Sequence, residues 1–250
     1  MKPIKITEVQ SYVERHIGDF HKRRLQNLET LKLSQILARK NPYLFKAKNI
    51  LTAQDLVKTL LDAHLSSQEE TIFGEFLEGL AIFICEQVFN GKKSSAEGID
   101  LEFERDRIRY IVSIKSGPNW GNSGQIREMV ENFKKAKRIL GTNISQTNIV
   151  AVSGCCYGRN NKPDKGDYLK YCGQKFWEFI SGNTDLYVQI IEPLGHKAKE
   201  KNEEFIKAYS ILINKFTLEF GKEFCADGEI NWNALVKYNS SIKISRKIEM

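Results

Sequence analysis

Residues 98–116 constrain the fold of this chain more than any other stretch. Two short segments, Gly98 to Glu104 and Ile108 to Ser116, alternate with the period of two that an extended strand turns into two faces. Ile99, Leu101 and Phe103 point one way and Asp100, Glu102 and Glu104 the other; Ile108, Tyr110, Val112 and Ile114 oppose Arg109, Ile111, Ser113 and Lys115. The polar turn Arg105-Asp106-Arg107 between them predicts a hairpin, which sets Asp100, Ser113 and Lys115 on one face. Two registers are open. Pairing Glu102 with Arg109 and Glu104 with Arg107 favours a two-residue turn, whereas Asp100 across from Ser113 calls for a four-residue turn or a bulge.

A carboxylate and an ammonium together, beside a following loop rich in Gly, Asn and Ser, suit metal-assisted phosphodiester hydrolysis. A hard cation takes oxygen ligands, and the charge that develops on the phosphate is offset by a second cation. The formal charge of +7 suits a polyanionic partner. With 250 residues, 41% of them hydrophobic, the chain can bury one large core or a core with appendages. Its longest apolar run, Leu80 to Cys85, is far short of a membrane span. The start Met1-Lys2-Pro3-Ile4-Lys5 lacks the apolar stretch of a signal peptide, so a cytoplasmic protein is expected. Five cysteines with no Cys-x-x-Cys spacing argue against a disulfide framework and against structural zinc. Cys155 and Cys156 read as small residues at a strand end.

The remaining elements follow from periodicity. Ile17, Phe20, Leu25, Leu28, Leu31 and Ile36 recur at helical spacing until Asn41-Pro42 stops the pattern. Asn49 to Leu65 predicts a further helix capped by Thr52, and Ser66 or Ser67 begins another, with Glu69 and Glu70 in its first turn. That helix carries Ile72, Phe73, Phe76, Leu77, Leu80, Phe83 and Ile84 inward. Glu78 lies opposite that stripe yet in an apolar setting: it is either an exposed acid or one paired with a Lys or Arg, or a buried carboxylate that needs a cationic neighbour or a metal. Ser123 caps a helix reaching Leu140; Thr147 to Ser153 reads as an interior strand and Leu186 to Ile191 as another. Gly154 to Gly173 is a long polar connection into an aromatic helix with Phe176, Trp177, Phe179 and Ile180, and Ala198 to Phe224 is a long amphipathic helix. Its stripe includes Phe205, Ile206, Tyr209, Leu212, Ile213, Phe216 and Phe220. The first fifty residues concentrate basic side chains, among them His16, His21, Arg24, Lys40, Lys46 and Lys48, either as a solvated face or as an arm on DNA phosphates. His16 and His21, five apart, do not share a helical face, so no metal site is read there. The tail after Asn239 is basic and expected to be loose.

The order of a helix with Gly74-x-x-x-Glu78, a strand with Asp100, a strand ending Ser113-Ile114-Lys115, then helix and strand resembles the PD-(D/E)XK nuclease core. The run Lys115-Ser116-Gly117-Pro118-Asn119-Trp120-Gly121-Asn122-Ser123, with Gly154-Cys155-Cys156-Tyr157-Gly158 and Gly173-Gln174-Lys175-Phe176-Trp177, resembles one family of type II restriction endonucleases over roughly Asn41 to Asn239. That family cuts interrupted palindromes of the GGNCC kind. The resemblance implies an α/β fold: a PD-(D/E)XK-like central mixed sheet flanked by helices, with mostly helical N-terminal and C-terminal additions. Residues 1–66 form the helical N-terminal region for DNA contact or dimerisation, 67–195 the nuclease core with recognition loops, and 196–250 a C-terminal helix and tail packed on the core.

One departure matters, because the superfamily's acid two residues before the lysine is Ser113 here. The resemblance then implies a migrated acid, Glu78 from the core helix, with Glu75 and Glu102 as substitutes. Asp100, Glu78 and the Ile114 carbonyl would hold Mg²⁺, and Lys115 would orient the attacking water. Asn119, Asn122, Gln125 and Arg127 after the site, and Arg159, Asn160, Asn161 and Lys162 in the long connection, are candidates for base edges and phosphates. The expected partners are double-stranded DNA, a second copy of the chain and, in the host, a DNA methyltransferase protecting the same site. A catalytically inactive DNA-binding protein on a nuclease fold is the alternative, suggested by Ser113 and by the basic N-terminal helices. Lys115 discriminates between them, since a pure binder does not need an ammonium on the face of Asp100.

Overall fold

In the computed structural model, which describes residues 2–141 and 148–242, the chain begins with helices α1 (Ile6–Glu29), α2 (Leu33–Leu37), α3 (Pro42–Ala47) and α4 (Ala53–Phe89). Strands β1 (Lys92–Lys93), β2 (Leu101–Arg105) and β3 (Ile108–Lys115) follow, then α5 (Ser123–Gly141), β4 (Asn148–Cys155), β5 (Leu169–Cys172) and α6 (Gln174–Ser181). The chain ends with α7 (Leu186–Gln189), α8 (Ile191–Leu194), α9 (Ala198–Phe224), β6 (Cys225–Ala226), β7 (Glu229–Ile230) and α10 (Trp232–Ser240). Two compact units result: Met1–Phe20 with Glu70–Ala198, and His21–Glu69 with Lys199–Met250. Helices α1 and α4 contribute residues to both. The expected N-terminal and C-terminal regions are thus combined in the second unit, apart from the first twenty residues, which belong with the nuclease core.

The first unit is built on a mixed five-stranded sheet in the order β1-β2-β3-β4-β5, antiparallel from β1 to β3 and parallel from β3 to β5. The hairpin register pairs Leu101 with Val112 and Arg105 with Ile108, while Asp100, just before β2, sends its amide to the Val112 carbonyl. Asp106 and Arg107 alone form the turn, both with positive φ (54° and 63°), the primed geometry whose twist matches that of paired strands. Leu101, Phe103, Tyr110, Val112 and Ile114 face a core shared with Leu77, Leu80 and Ile84 of α4 and with Phe176, Trp177 and Ile180 of α6. On the other face, Ile111 and Ala151 pack with Met129, Phe133 and Ala136 of α5. Ile99 belongs to this second cluster and not, as alternation predicts, with Leu101 and Phe103. The chain changes direction at Asp100, after Gly98 at φ +71°, and this break positions the site.

Three element assignments differ from expectation. Residues 49–65 and the segment from Ser66 are one continuous helix, α4, because neither serine brings a break that glycine or proline would impose. Leu186 to Ile191 is helical: Leu186 and Ile190, four apart, are buried while Tyr187, Val188 and Ile191 are exposed, a helical and not an alternating pattern. The long connection after Gly154 is ordered around β5, with an Asp164 to Leu169 bridge and a Lys170 amide donating to the Pro163 carbonyl at 2.7 Å. The interior strand is present as β4, although Thr147 lies outside the described residues, as does the tail from 243.

The second unit has its own core, in which Leu28, Ile36, Leu56, Leu61, Phe216 and Phe220 are prominent. Thr52 caps α4 as expected, its Oγ1 accepting from the Asp55 amide at 3.1 Å. Asn41 ends the preceding pattern and also caps α3, with Pro42 at the first helical position. Several basic residues of this region are committed internally. Arg24 pairs with Glu69 and lies 3.5 Å over the Phe205 ring, the Lys40 ammonium donates to the Ala63 carbonyl, and Lys46 faces Trp232. Helix α9 buries Phe205, Leu212, Phe216, Phe220 and Phe224, but Ile206 of the expected stripe is exposed, along with Ile211 and Leu218.

Candidate active site

Asp100 stands just before β2, and its own amide donates to the Val112 carbonyl at 2.9 Å. Its carboxylate then does what the missing next ladder residue would do: Oδ2 accepts from the Ile114 amide at 2.6 Å and from the Ser113 hydroxyl at 3.4 Å. A charge-assisted bond to a backbone amide fixes the carboxylate firmly. In a strand the N–H and C=O of one residue point to the same side, so the Ile114 carbonyl faces the side of the sheet occupied by Asp100. Ser113 itself is buried, which leaves its position in the site without a charge.

Glu78 comes from α4. A Cβ added at Gly74, one turn earlier, would lie 3.6 Å from Ser116 Cβ, so α4 runs close to the end of β3. The Glu78 pKa is raised, first by burial and next by the charge of Asp100, and is held down by Lys93 and then Lys115. Glu78 Oε1 is 3.5 Å from the Lys93 ammonium, the cationic neighbour that its apolar setting required. The other two candidate acids are placed differently. Glu102 is buried and tied to Arg109 at 2.8 Å, with Lys92 at 3.7 Å, and Glu75 is exposed on α4. Lys93 is the residue that sequence reasoning missed. A two-residue edge strand carries no periodicity, and the only available signal was that Glu78 needed a partner.

The Lys115 ammonium lies 5.1 Å from the centroid of the Trp120 ring, a cation–π arrangement that steadies a long side chain. The loop that supplies Trp120 is tied down from several directions. The Lys170 ammonium donates to the Pro118 carbonyl at 2.7 Å, and any side chain at Gly117 would collide with the Tyr157 ring. Asn122, and not Ser123, caps α5: its Oδ1 accepts from the amides of Gly124 and Gln125, while Gln125 Oε1 accepts from the Asn122 amide. This reciprocal box occupies two of the candidate recognition side chains. Asn160 is also used internally, its amide donating to the carbonyls of Lys162 and Lys170. Asn119, Arg127, Arg159, Asn161 and Lys162 are exposed. A cavity of about 320 Å³ opens between Glu70, Ser116 to Trp120 and Tyr157. A larger one, about 670 Å³, lies against Leu77, Cys156, Arg159, Asn161 and Lys175. The smaller adjoins the Lys115 loop and is the more relevant to the site. Burial pushes the Cys155 thiol up to about 12, in keeping with a structural role for that pair of cysteines.

Hard oxygen donors at one strand edge suit a small divalent cation. Among the described residues no group of three or more His, Cys, Asp and Glu side chains is arranged to hold a metal, so an ion here would rest on two carboxylates, a carbonyl and water. Mg²⁺ is commonly bound in this sparse way. The Asp100 charge that raises the Glu78 pKa is what such an ion would offset, so the donors fit it.

A mixed sheet flanked by helices, with an acid just before one strand, a lysine at the end of the next and an acid on the preceding helix, has the form of a PD-(D/E)XK-like nuclease core. The family model of the type II restriction endonuclease EcoO109I matches residues 7–202, most of the chain, and the chain belongs to that family. The match begins earlier and ends earlier than the resemblance read from motifs. A search of curated proteins returns no match.

Proposed function

We propose that this restriction endonuclease cuts both strands of a short palindromic DNA in a Mg²⁺-dependent reaction, with Asp100, Glu78 and Lys115 as its catalytic residues. The observation that carries the reading is the Asp100 carboxylate, anchored on the Ile114 amide and close enough to Glu78 to raise its pKa. Asp100, Glu78 and the Ile114 carbonyl would hold the cation, which when bound polarises the scissile phosphate and makes a neighbouring water more acidic. Lys115 orients that water and offsets charge as the phosphorus–oxygen bond breaks. The reaction needs no covalent intermediate.

An interrupted GGNCC-type site is the proposed target, as the family motifs suggest. Asn119, Arg127, Arg159, Asn161 and Lys162 are exposed and chemically suited to base edges and phosphates. Asn122, Gln125 and Asn160 contribute by shaping the loops that present them. A homodimer brings two sites to the two strands, and a cognate methyltransferase would protect the host's own DNA. A cytoplasmic location agrees with this role; among the described residues no helix is long and apolar enough to cross a membrane. Incubation with a long mixed-sequence DNA, with Mg²⁺ or with chelator, tests the proposal. Discrete fragments with mapped ends, lost in chelator, are expected. Intact DNA under both conditions would return the chain to a binding protein that has lost cleavage.

A further inference from the structure

We propose that Lys93 is a positioning residue that occupies Glu78 in the cation-free protein and must leave before a divalent cation loads, so that it sets the cation concentration at which the site fills. The inference rests on the reading of Asp100 and Glu78 as cation ligands. Lys93 lies on the edge strand β1 in register with Leu101, and the next amide, that of Ser94, donates to the Asp100 carbonyl at 3.3 Å. The backbone therefore holds Lys93 beside the first ligand, while its ammonium reaches the second, Glu78, at 3.5 Å. Adjacent Lys92 goes instead to Glu102, and Lys115 lies over Trp120, so Lys93 is the ammonium in the ion pair with Glu78.

The two ends of this pair differ in exposure. The Lys93 side chain is 72% exposed and that of Glu78 only 29%. An exposed ammonium on a flexible stem returns to water at little cost, whereas a half-buried carboxylate left alone is disfavoured. The pair is therefore a placeholder: close enough to orient Glu78, and weak enough for a dication to replace it. Removing the ammonium should make the cation's task easier, because nothing then has to be displaced.

Mn²⁺ binding to the full chain without DNA, followed by the electron paramagnetic resonance of free ion, tests this directly. Lys93→Met keeps the stem and removes the charge, and it should lower the half-filling concentration by about three- to fivefold, the worth of an exposed ion pair. Lys93→Arg should stay near the parent. Loss of a nearby positive charge could attract any cation without competition at Glu78, so the same change is made in a Glu78→Gln background. There the gain should vanish. An unchanged or raised half-filling concentration in Lys93→Met, or an equal gain from Lys93→Met in the Glu78→Gln background, overturns the inference. Mn²⁺ uptake that depends on Asp100 and Glu78 but ignores Lys93 removes this inference alone. Uptake indifferent to Asp100→Asn and Glu78→Gln removes the site reading with it.

Discussion

Burial and the charge of Asp100 both raise the Glu78 pKa, and the sign of that shift has consequences at the scale of single residues. For an acid whose folded pKa exceeds its ordinary value, the native state binds more protons between the two values. Stability from this group is then complete below the ordinary carboxylate range and is lost as pH rises through the raised folded value. Cation loading has the opposite preference, since only the carboxylate is a ligand. Cleavage at limiting Mg²⁺ should therefore rise with pH through the Glu78 titration, and excess Mg²⁺ should move that limb to lower pH. Glu78→Gln should abolish the limb and lower the rate while leaving circular dichroism unchanged; an unaltered limb would give the titration to another group. Asp100→Asn keeps an acceptor for the Ile114 amide and loses the charge, so it should fold normally and cut at least about a hundredfold more slowly. Lys115→Ala should do the same, and full activity in either variant would remove it from the mechanism.

At the scale of elements, the hairpin was legible because alternation and a polar turn both report local geometry. Its register was not. Arg107 at positive φ is an unusual host for the second position of a two-residue turn, where glycine is the common choice, so the residue types left both registers open. Glycine at the second position should relieve that conformation: Arg107→Gly is expected to stabilise by roughly 1 kcal/mol, or about 2–4 °C in Tm, without altering the site. Spacing alone marks Asp100 and Lys115 as candidates, and the need of a carboxylate among Phe76, Leu77 and Leu80 for a partner marks Glu78. The capping box escaped because Asn122 and Ser123 are equally plausible caps in sequence, and only the bonds to Gly124 and Gln125 decide. A consequence follows for recognition. Asn122→Asp preserves the cap acceptor and should leave both stability and the cleaved sequence unchanged, whereas Asn122→Ala should cost about 1 kcal/mol. A changed cleavage pattern in Asn122→Asp would make that side chain a reader of bases after all.

For the whole molecule, the open question is assembly. One chain carries one candidate site, and cutting both strands of a palindrome calls for two sites related by the symmetry of the DNA. The proposed interface lies in the unit formed by His21–Glu69 and Lys199–Met250, which has a core of its own and would remain folded while offering a surface. On α9, Ile211 and Leu218 are seven residues apart and so share a stripe, and they are 61% and 68% exposed. A stripe of this kind, opposite the buried Phe205, Leu212 and Phe216, is more apolar surface than the unit's own core uses. Light scattering at micromolar concentration should give the mass of two 28.8 kDa chains. Leu218→Glu should reduce it to one, because a charge in an apolar interface is left without a partner. A dimer also presents each phosphate contact twice, so log affinity should fall with log salt about twice as steeply for the parent as for the Leu218→Glu variant. A monomer mass both free and on cleavable DNA would exclude the dimer and leave the chemistry at Asp100 and Lys115 untouched. A dimer that persists in Leu218→Glu would instead move the interface off this stripe of α9.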